Sequence, residues 1–264
     1  MPPHSSTHAT KISNHFSGQV KCDITSHPDM PKRIGRMVFV HFTNRCGSNY
    51  FCDVLSSYSR LPSLHESLNF GAVIQKSKAM SLPSFSAYIQ EVLCQEPSIV
   101  KVNTDQLRML INWGYIPFSS ETDAENKPSI ISVQRNDVIS QAVSFAIASQ
   151  TGQFTSFQKS RLSPDDVVFD PALVSRLIVG IGKAYQEFLV LTAAIGYNPL
   201  RIIYEGFVDS PTAIIQDVCR ELNIEFYPQT LKSSYRKQAS DINADHRRKF
   251  IASLNLLNDI LPQS

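Results

Sequence analysis

The arrangement of apolar runs along the chain predicts a three-layer α/β/α domain built on a central parallel sheet. Four short, β-branched runs, at 37–42 (MVFVHF), 99–102 (IVKV), 130–133 (IISV) and 200–204 (LRIIY), are continuous and not alternating. That is the pattern of strands covered by helices on both faces. Longer segments with helix-start signals lie between them, so strand and helix alternate. The chain of 264 residues, 42% hydrophobic, can also bury a large core without disulfide or metal staples.

Taken in order, residues 1–33 are rich in Ser, Thr, His and Pro and hold no sustained period. They predict a mobile tail outside the fold, leaving 34–264 as one domain. The opening stretch has no apolar centre of the kind a secretory signal carries. The first strand runs through a small-residue turn at 43–49 into a helical pattern reaching Leu55. The polar loop 118–128 (FSSETDAENKP) caps the next strand and does not divide two domains. That strand, 130–133, leads to Arg135 and to a helix that Asp137 can cap, with Ser140 in its first turn. Asp170-Pro171 opens another helix, ending before Gly196, and Ser210-Pro211 opens a further one. The window 173–195 is apolar but interrupted by Arg176, Lys183, Gln186 and Glu187, and reads as a core helix in place of a bilayer span. Trp113 and Tyr115 read as core or loop anchors. The basic run 246–249 (HRRK) precedes Phe250, Leu254 and Leu257, which predicts a helix with those three inward and the basic face solvated.

With 25 Lys+Arg against 23 Asp+Glu the net charge is +2, which argues against a general nucleic-acid binder. Five cysteines, at 22, 46, 52, 94 and 219, form no CxxC pair. An odd count without metal-ligand spacing predicts reduced thiols, a cytoplasmic protein and no zinc site. Oligomeric state is left open, a homodimer included.

Two loops carry candidate chemistry. Parallel sheets bind ligands beyond the carboxyl ends of their strands, and there the first strand meets Arg45-Cys46-Gly47-Ser48-Asn49-Tyr50. Such a turn leaves amides at a helix N-terminus free to hold an anion. The segment lacks the lysine and leading glycine of the GxxxxGK[ST] phosphate loop, which disfavours an Mg-ATP kinase or NTPase. A plain strand-turn-helix remains an equal alternative on this loop alone. In the second, Arg135 and Ser140 can converge on a phosphate, or Arg135 and Asp137 form only a surface pair beside a helix cap.

Together these residues resemble the sulfotransferases that use 3′-phosphoadenosine 5′-phosphosulfate (PAPS), most closely the bacterial carbohydrate sulfotransferases typified by trehalose 2-sulfotransferase. Residues 45–49 are similar to the family's R-S-G-S-T loop, and 64–70 (LHESLNF) to its E-P-Q-E-F-F segment. Residues 135–145 (RNDVISQAVSF), followed by Gln150-Thr151, resemble R-x-D-V-V-S-Q-A-V-S and a Q-T pair. Arg236-Lys237-Gln238-Ala239 resembles an R-Q-A stretch, and Lys101 lies where the family has G-K-L-M. Cys46, Asn49 and Ser63 depart from the family's serine, threonine and glutamate.

The resemblance implies a P-loop NTPase-like sulfotransferase fold, a PAPS donor, no metal, and a carbohydrate or glycolipid acceptor. It places Arg45 at the sulfuryl group, and residues 46–50 (Cys46, Gly47, Ser48, Asn49 and Tyr50) around the 5′-phosphosulfate. Arg135 and Ser140 fall at the 3′-phosphate, with Arg236 and Lys237 closing over the nucleotide. Glu66 is the candidate base and His65 its alternative. A catalytically inactive nucleotide-binding relative is the rival reading.

Overall fold

The computed structural model describes residues 8–121, 123, 126–155, 157–163, 166–228 and 241–258. Four parallel strands, β1 (Val38–His41), β2 (Ile99–Val102), β3 (Ser129–Gln134) and β4 (Leu200–Ile203), lie in the order β2-β1-β3-β4. They are the four apolar runs read from the sequence. Around them lie α1 (His8–His15), α2 (Met30–Gly35), α3 (Ser48–Ser59), α4 (Phe70–Ala79), α5 (Phe85–Tyr88, continued by a π-turn at Ile89–Leu93) and α6 (Thr104–Asn112). The set continues with α7 (Val138–Thr151), α8 (Pro171–Ala194), α9 (Tyr204–Asp209), α10 (Pro211–Glu221) and α11 (Asp241–Asn258).

Side-chain alternation along the strands divides the core into two layers. Val38, Val40, Ile131 and Ile202 pack with Phe51 and Leu55 of α3 and Val218 of α10. Phe39, Val100, Val102 and Ile130 turn the other way, onto Leu107 and Leu110 of α6, Phe85 and Phe188. With both faces covered, the domain has the predicted three-layer α/β/α architecture. His41, on the second face, stacks on Phe188 at 3.7 Å and lies 3.0 Å from Thr104 Oγ1.

The edge of the sheet is extended by residues 62–65, which lack a strand pattern in sequence. The amide of Ile99 donates to the Pro62 carbonyl at 2.9 Å, Leu64 to Ile99 at 2.8 Å and Lys101 to His65 at 2.9 Å. This pairing carries Glu66 to the carboxyl end of β2.

Three expectations need correction. Residues 8–33 are part of the fold, not a mobile tail: Ile12, Phe16, Val20 and Met30 are buried against Phe85, Tyr88 and Tyr115. The His15 ring also lies 2.7 Å from Ser77 Oγ, and Cys22 donates its amide to the Trp113 carbonyl at 2.8 Å. Average composition misled here, because four well-placed apolar side chains suffice to dock the segment. Helix α8 is not a core helix. It buries the stripe Val174, Ile181, Phe188 and Thr192 and leaves Val179, Leu189 and Val190 exposed, although by length and composition alone it matches a membrane span. On α11, Phe250 is buried as expected, but Leu254 is exposed; the side chain of Leu257 lies outside the described residues.

Candidate active site

The loop leaving β1 turns sharply at Arg45 (φ 65°) and Gly47 (φ 92°) before α3 begins at Ser48. The first helical bond runs from the Phe51 amide to the Gly47 carbonyl, 3.1 Å. The amides before it have no intrahelical acceptor, and a glycine at the N-cap brings no side chain to cap them. Glycine is required twice over. Its φ is left-handed, and a Cβ here would come within 2.1 Å of the Tyr204 ring. Above this turn, at the carboxyl edge of the sheet, opens a cleft of ≈ 690 Å³ lined by Asn44, Arg45, Gly47, Ser48, Asn49 and Tyr50.

Cys46 is the exception in the loop. Its side chain is fully buried in the α3-side core, and its amide donates to the Thr43 carbonyl at 3.2 Å. Burial pushes its thiol pKa up, so it is neither a cleft ligand nor an activated nucleophile. The expectation that Cys46 holds the donor is therefore corrected: the residue between Arg45 and Gly47 points inward as a small apolar filler.

Cations converge from separate elements. Arg45 donates from Nε to Ser144 Oγ at 3.0 Å and from Nη1 to the Phe154 carbonyl. Arg135 follows β3; its Nε lies 3.5 Å from Glu205 Oε1, and its guanidinium sits 5.0 Å over the Tyr204 ring. Burial, and next the charge of Arg135, lower the Arg45 pKa. Two guanidiniums that disfavour each other's charge across one cleft are stabilised by an anion between them. Ser140 also lines the cleft, but its hydroxyl donates to Asp137 Oδ2 at 2.7 Å and its amide to Oδ1 at 2.9 Å. Burial raises the Asp137 pKa, yet those bonds and the charges of Arg247 and Arg135 outweigh it and hold the carboxyl low. Burial likewise opposes ionisation of Glu205, and the amides of Asn136 and Asp137, at 3.0 and 3.3 Å, overcome it.

Lys101 is 2% exposed and enters from below on β2. Its ammonium donates to Glu66 Oε1 at 2.8 Å and to Asn49 Oδ1, and lies 4.2 Å from the Phe42 ring centre. A buried ammonium needs such partners. It brings to the turn an ammonium in place of the lysine that the loop itself lacks. Glu66, 46% exposed, lies on the wall common to the cleft and a second chamber of ≈ 480 Å³. That chamber shares Phe42 and Asn44 as well and adds Asp105, Arg108, Phe145, Leu177 and Glu187. His65 lines neither space. Its burial, and then the charge of Lys101, lower its pKa.

The structure thus gathers Arg45, Gly47, Ser48, Asn49, Tyr50, Glu66, Arg135 and Ser140 at one cleft and leaves Cys46 and His65 out of it. Arg236 and Lys237 lie outside the described residues. Tyr204, Glu205 and Arg247 line the cleft without having been singled out from sequence. The first two directly follow β4, at the start of α9, so the rule that strand termini build sites was the available signal. Arg247, together with His246, which is buried beside Phe169, breaks the expectation that residues 246–249 form a solvated face. Nothing local distinguishes it from Arg248. Among the described residues no group of three His, Cys, Asp or Glu side chains is arranged for a metal ion.

Fold and cleft together define a parallel α/β protein whose first-strand turn, surrounding arginines and buried strand lysine form a positively charged cleft at the carboxyl edge of the sheet. Residues 120–253, about half the chain, match the family model described as Stf0 sulphotransferase. The chain belongs to that family and is a sulfotransferase, as its resemblances implied, which sets aside the kinase alternative. The matched segment contains Arg135, Ser140, Tyr204 and Arg247; the 45–50 turn and Glu66 precede it. Among solved structures, a sulfotransferase from Alicyclobacillus acidocaldarius aligns at 13% identity over 86% of this chain and 96% of that one, with a TM-score of 0.45. No curated protein sequence matches the chain.

Proposed function

We propose that the protein transfers the sulfuryl group of PAPS to a hydroxyl of a carbohydrate or glycolipid. One observation carries the reading: Glu66 stands on the wall between two chambers, bonded to the lysine that also holds the anion-binding turn. The larger chamber suits the donor. The amides of Gly47, Ser48, Asn49 and Tyr50, with the side chains of Ser48 and Asn49, hold the 5′-phosphosulfate, Arg45 faces the sulfuryl group, and Arg135 with the amide end of α7 takes the 3′-phosphate. PAPS supplies an activated sulfuryl group on a phosphate leaving group.

The smaller chamber suits the acceptor. Phe42, Phe145 and Leu177 offer apolar surface for the C–H face of a sugar ring, while Asn44, Asp105 and Arg108 offer partners for hydroxyls. A sugar hydroxyl is too weak an acid to ionise beforehand, so Glu66 accepts its proton as the new O–S bond forms. Lys101 holds that carboxylate in place. The five cysteines are unbridged, which supports action in a reducing, cytoplasmic compartment. The departure at Cys46 does not argue for an inactive relative, since the side chain avoids the cleft.

Glu66→Gln should leave the affinity for 3′,5′-adenosine bisphosphate unchanged and slow transfer by roughly 10²- to 10⁴-fold. The measurement is sulfate transfer from PAPS to a panel of saccharides and glycolipids, beside thermal shifts with the bisphosphate and AMP. Equal stabilisation by the two nucleotides would refute the donor assignment. Bisphosphate binding without transfer to any acceptor would establish an inactive relative, and full turnover in Glu66→Gln would move the base elsewhere.

A further inference from the structure

Arg247 of α11 is placed unlike the two basic residues that follow it. Arg248 and Lys249 pair with Asp245 on their own helix, at 3.4 and 2.7 Å, and are 74% and 54% exposed. Arg247 reaches instead across to the start of α7, where its Nε lies 3.4 Å from Asp137 Oδ2 and its side chain lines the cleft. Asp137 has hydrogen-bond partners without it, because the amide and hydroxyl of Ser140 bond one carboxylate oxygen each. The Arg247 Nε is buried and makes no hydrogen bond there. A guanidinium held near a carboxylate, but not bonded to it, retains its donors for a better acceptor.

The geometry points to Arg247 as a ligand of the donor's 3′-phosphate, held on Asp137 until the nucleotide arrives. This assignment rests on the PAPS reading. Arg135 approaches the same end of α7, and Asp137, Ser140 and Arg247 all line the cleft there. A phosphate between the two arginines meets guanidinium forks and the positive end of a fourteen-residue helix. A phosphate monoester dianion offers more charge and more free lone pairs than a carboxylate already accepting from Ser140. Arg247 therefore exchanges partners on binding and draws α11 against the nucleotide. Asp137 opposes this exchange: it caps α7, competes for Arg247, and sets a negative charge beside the incoming phosphate.

Calorimetric titration of the full chain with 3′,5′-adenosine bisphosphate and with AMP tests the assignment. Arg247→Gln should weaken the bisphosphate by about tenfold to a hundredfold, the range for one charged hydrogen-bonding partner, and leave AMP unchanged. Arg247→Lys should recover part of the loss. Asp137→Asn, which can still cap the helix, should tighten bisphosphate binding. Unchanged bisphosphate affinity in Arg247→Gln, or equal loss for both nucleotides, would overturn the assignment. Weaker bisphosphate binding by Asp137→Asn would overturn the holding role. If the unaltered chain itself did not prefer the bisphosphate over AMP, the PAPS reading would fail first, a result distinct from either variant's.

Discussion

At the scale of single residues, Cys46 and Gly47 are adjacent and do opposite things. From sequence, Cys46 reads as a loop residue facing an anion, since it occupies a serine position in a motif. The backbone decides otherwise: left-handed turns at Arg45 and Gly47 send the intervening side chain into the core. Cys46→Ser should therefore leave nucleotide affinity unchanged and destabilise the fold by at most about 1–3 kcal/mol, the range for burying a hydroxyl, since Ser48 offers its amide and hydroxyl beside that position. Chemical denaturation and calorimetry separate the two effects, and tighter nucleotide binding in the serine variant would restore the cleft role. Gly47→Ala should abolish nucleotide binding, because the new methyl must displace the Tyr204 ring as well as adopt a left-handed φ. A variant that binds normally would show that ring to be freely movable.

At the scale of elements, what was legible was whatever has a local cause. Continuous apolar runs marked the four strands, and Asp170-Pro171 marked the start of α8, where Asp170 accepts the Leu173 amide at 2.9 Å. The pairing of residues 62–65 with β2 was not legible, since Pro62 and Ser63 read as loop and their partners lie on a distant strand. His41 likewise reads as one more residue of a strand, but it joins β1 to α6 and α8. Burial brings its pKa down to about 3. The sign follows from linkage: a folded-state pKa below the unfolded 6.5 means the contribution is fully present above pH 6.5. It is lost progressively as pH falls toward 3. The stability gap between the unaltered chain and His41→Phe, measured in urea at pH 7.5 and 5, should narrow on acidification. A gap independent of pH would mean that His41 does not titrate on unfolding.

At the scale of the whole molecule, convergence could be read only where a motif matched. Arg45, Glu66 and Arg135 were found because each sits in a recognisable block, whereas Arg247 enters the cleft through packing that no local pattern announces. The same limit explains the error at the N-terminus, where docking depends on what lies opposite. Burying Ile12, Phe16, Val20 and Met30 contributes about 1.5–3 kcal/mol each as an upper estimate, a sum comparable with the whole stability of a domain, roughly 5–15 kcal/mol. A chain beginning at residue 34 should therefore fail to fold, exposing Phe85, Tyr88 and Tyr115. Residues 8–33 contribute nothing to the donor cleft and only His8 to the second chamber. Phe16→Ala should thus lower stability by about 3–5 kcal/mol while folded molecules keep normal affinity for 3′,5′-adenosine bisphosphate. A soluble chain starting at residue 34, with unchanged Tm and nucleotide affinity, would instead show that this segment is a dispensable tail.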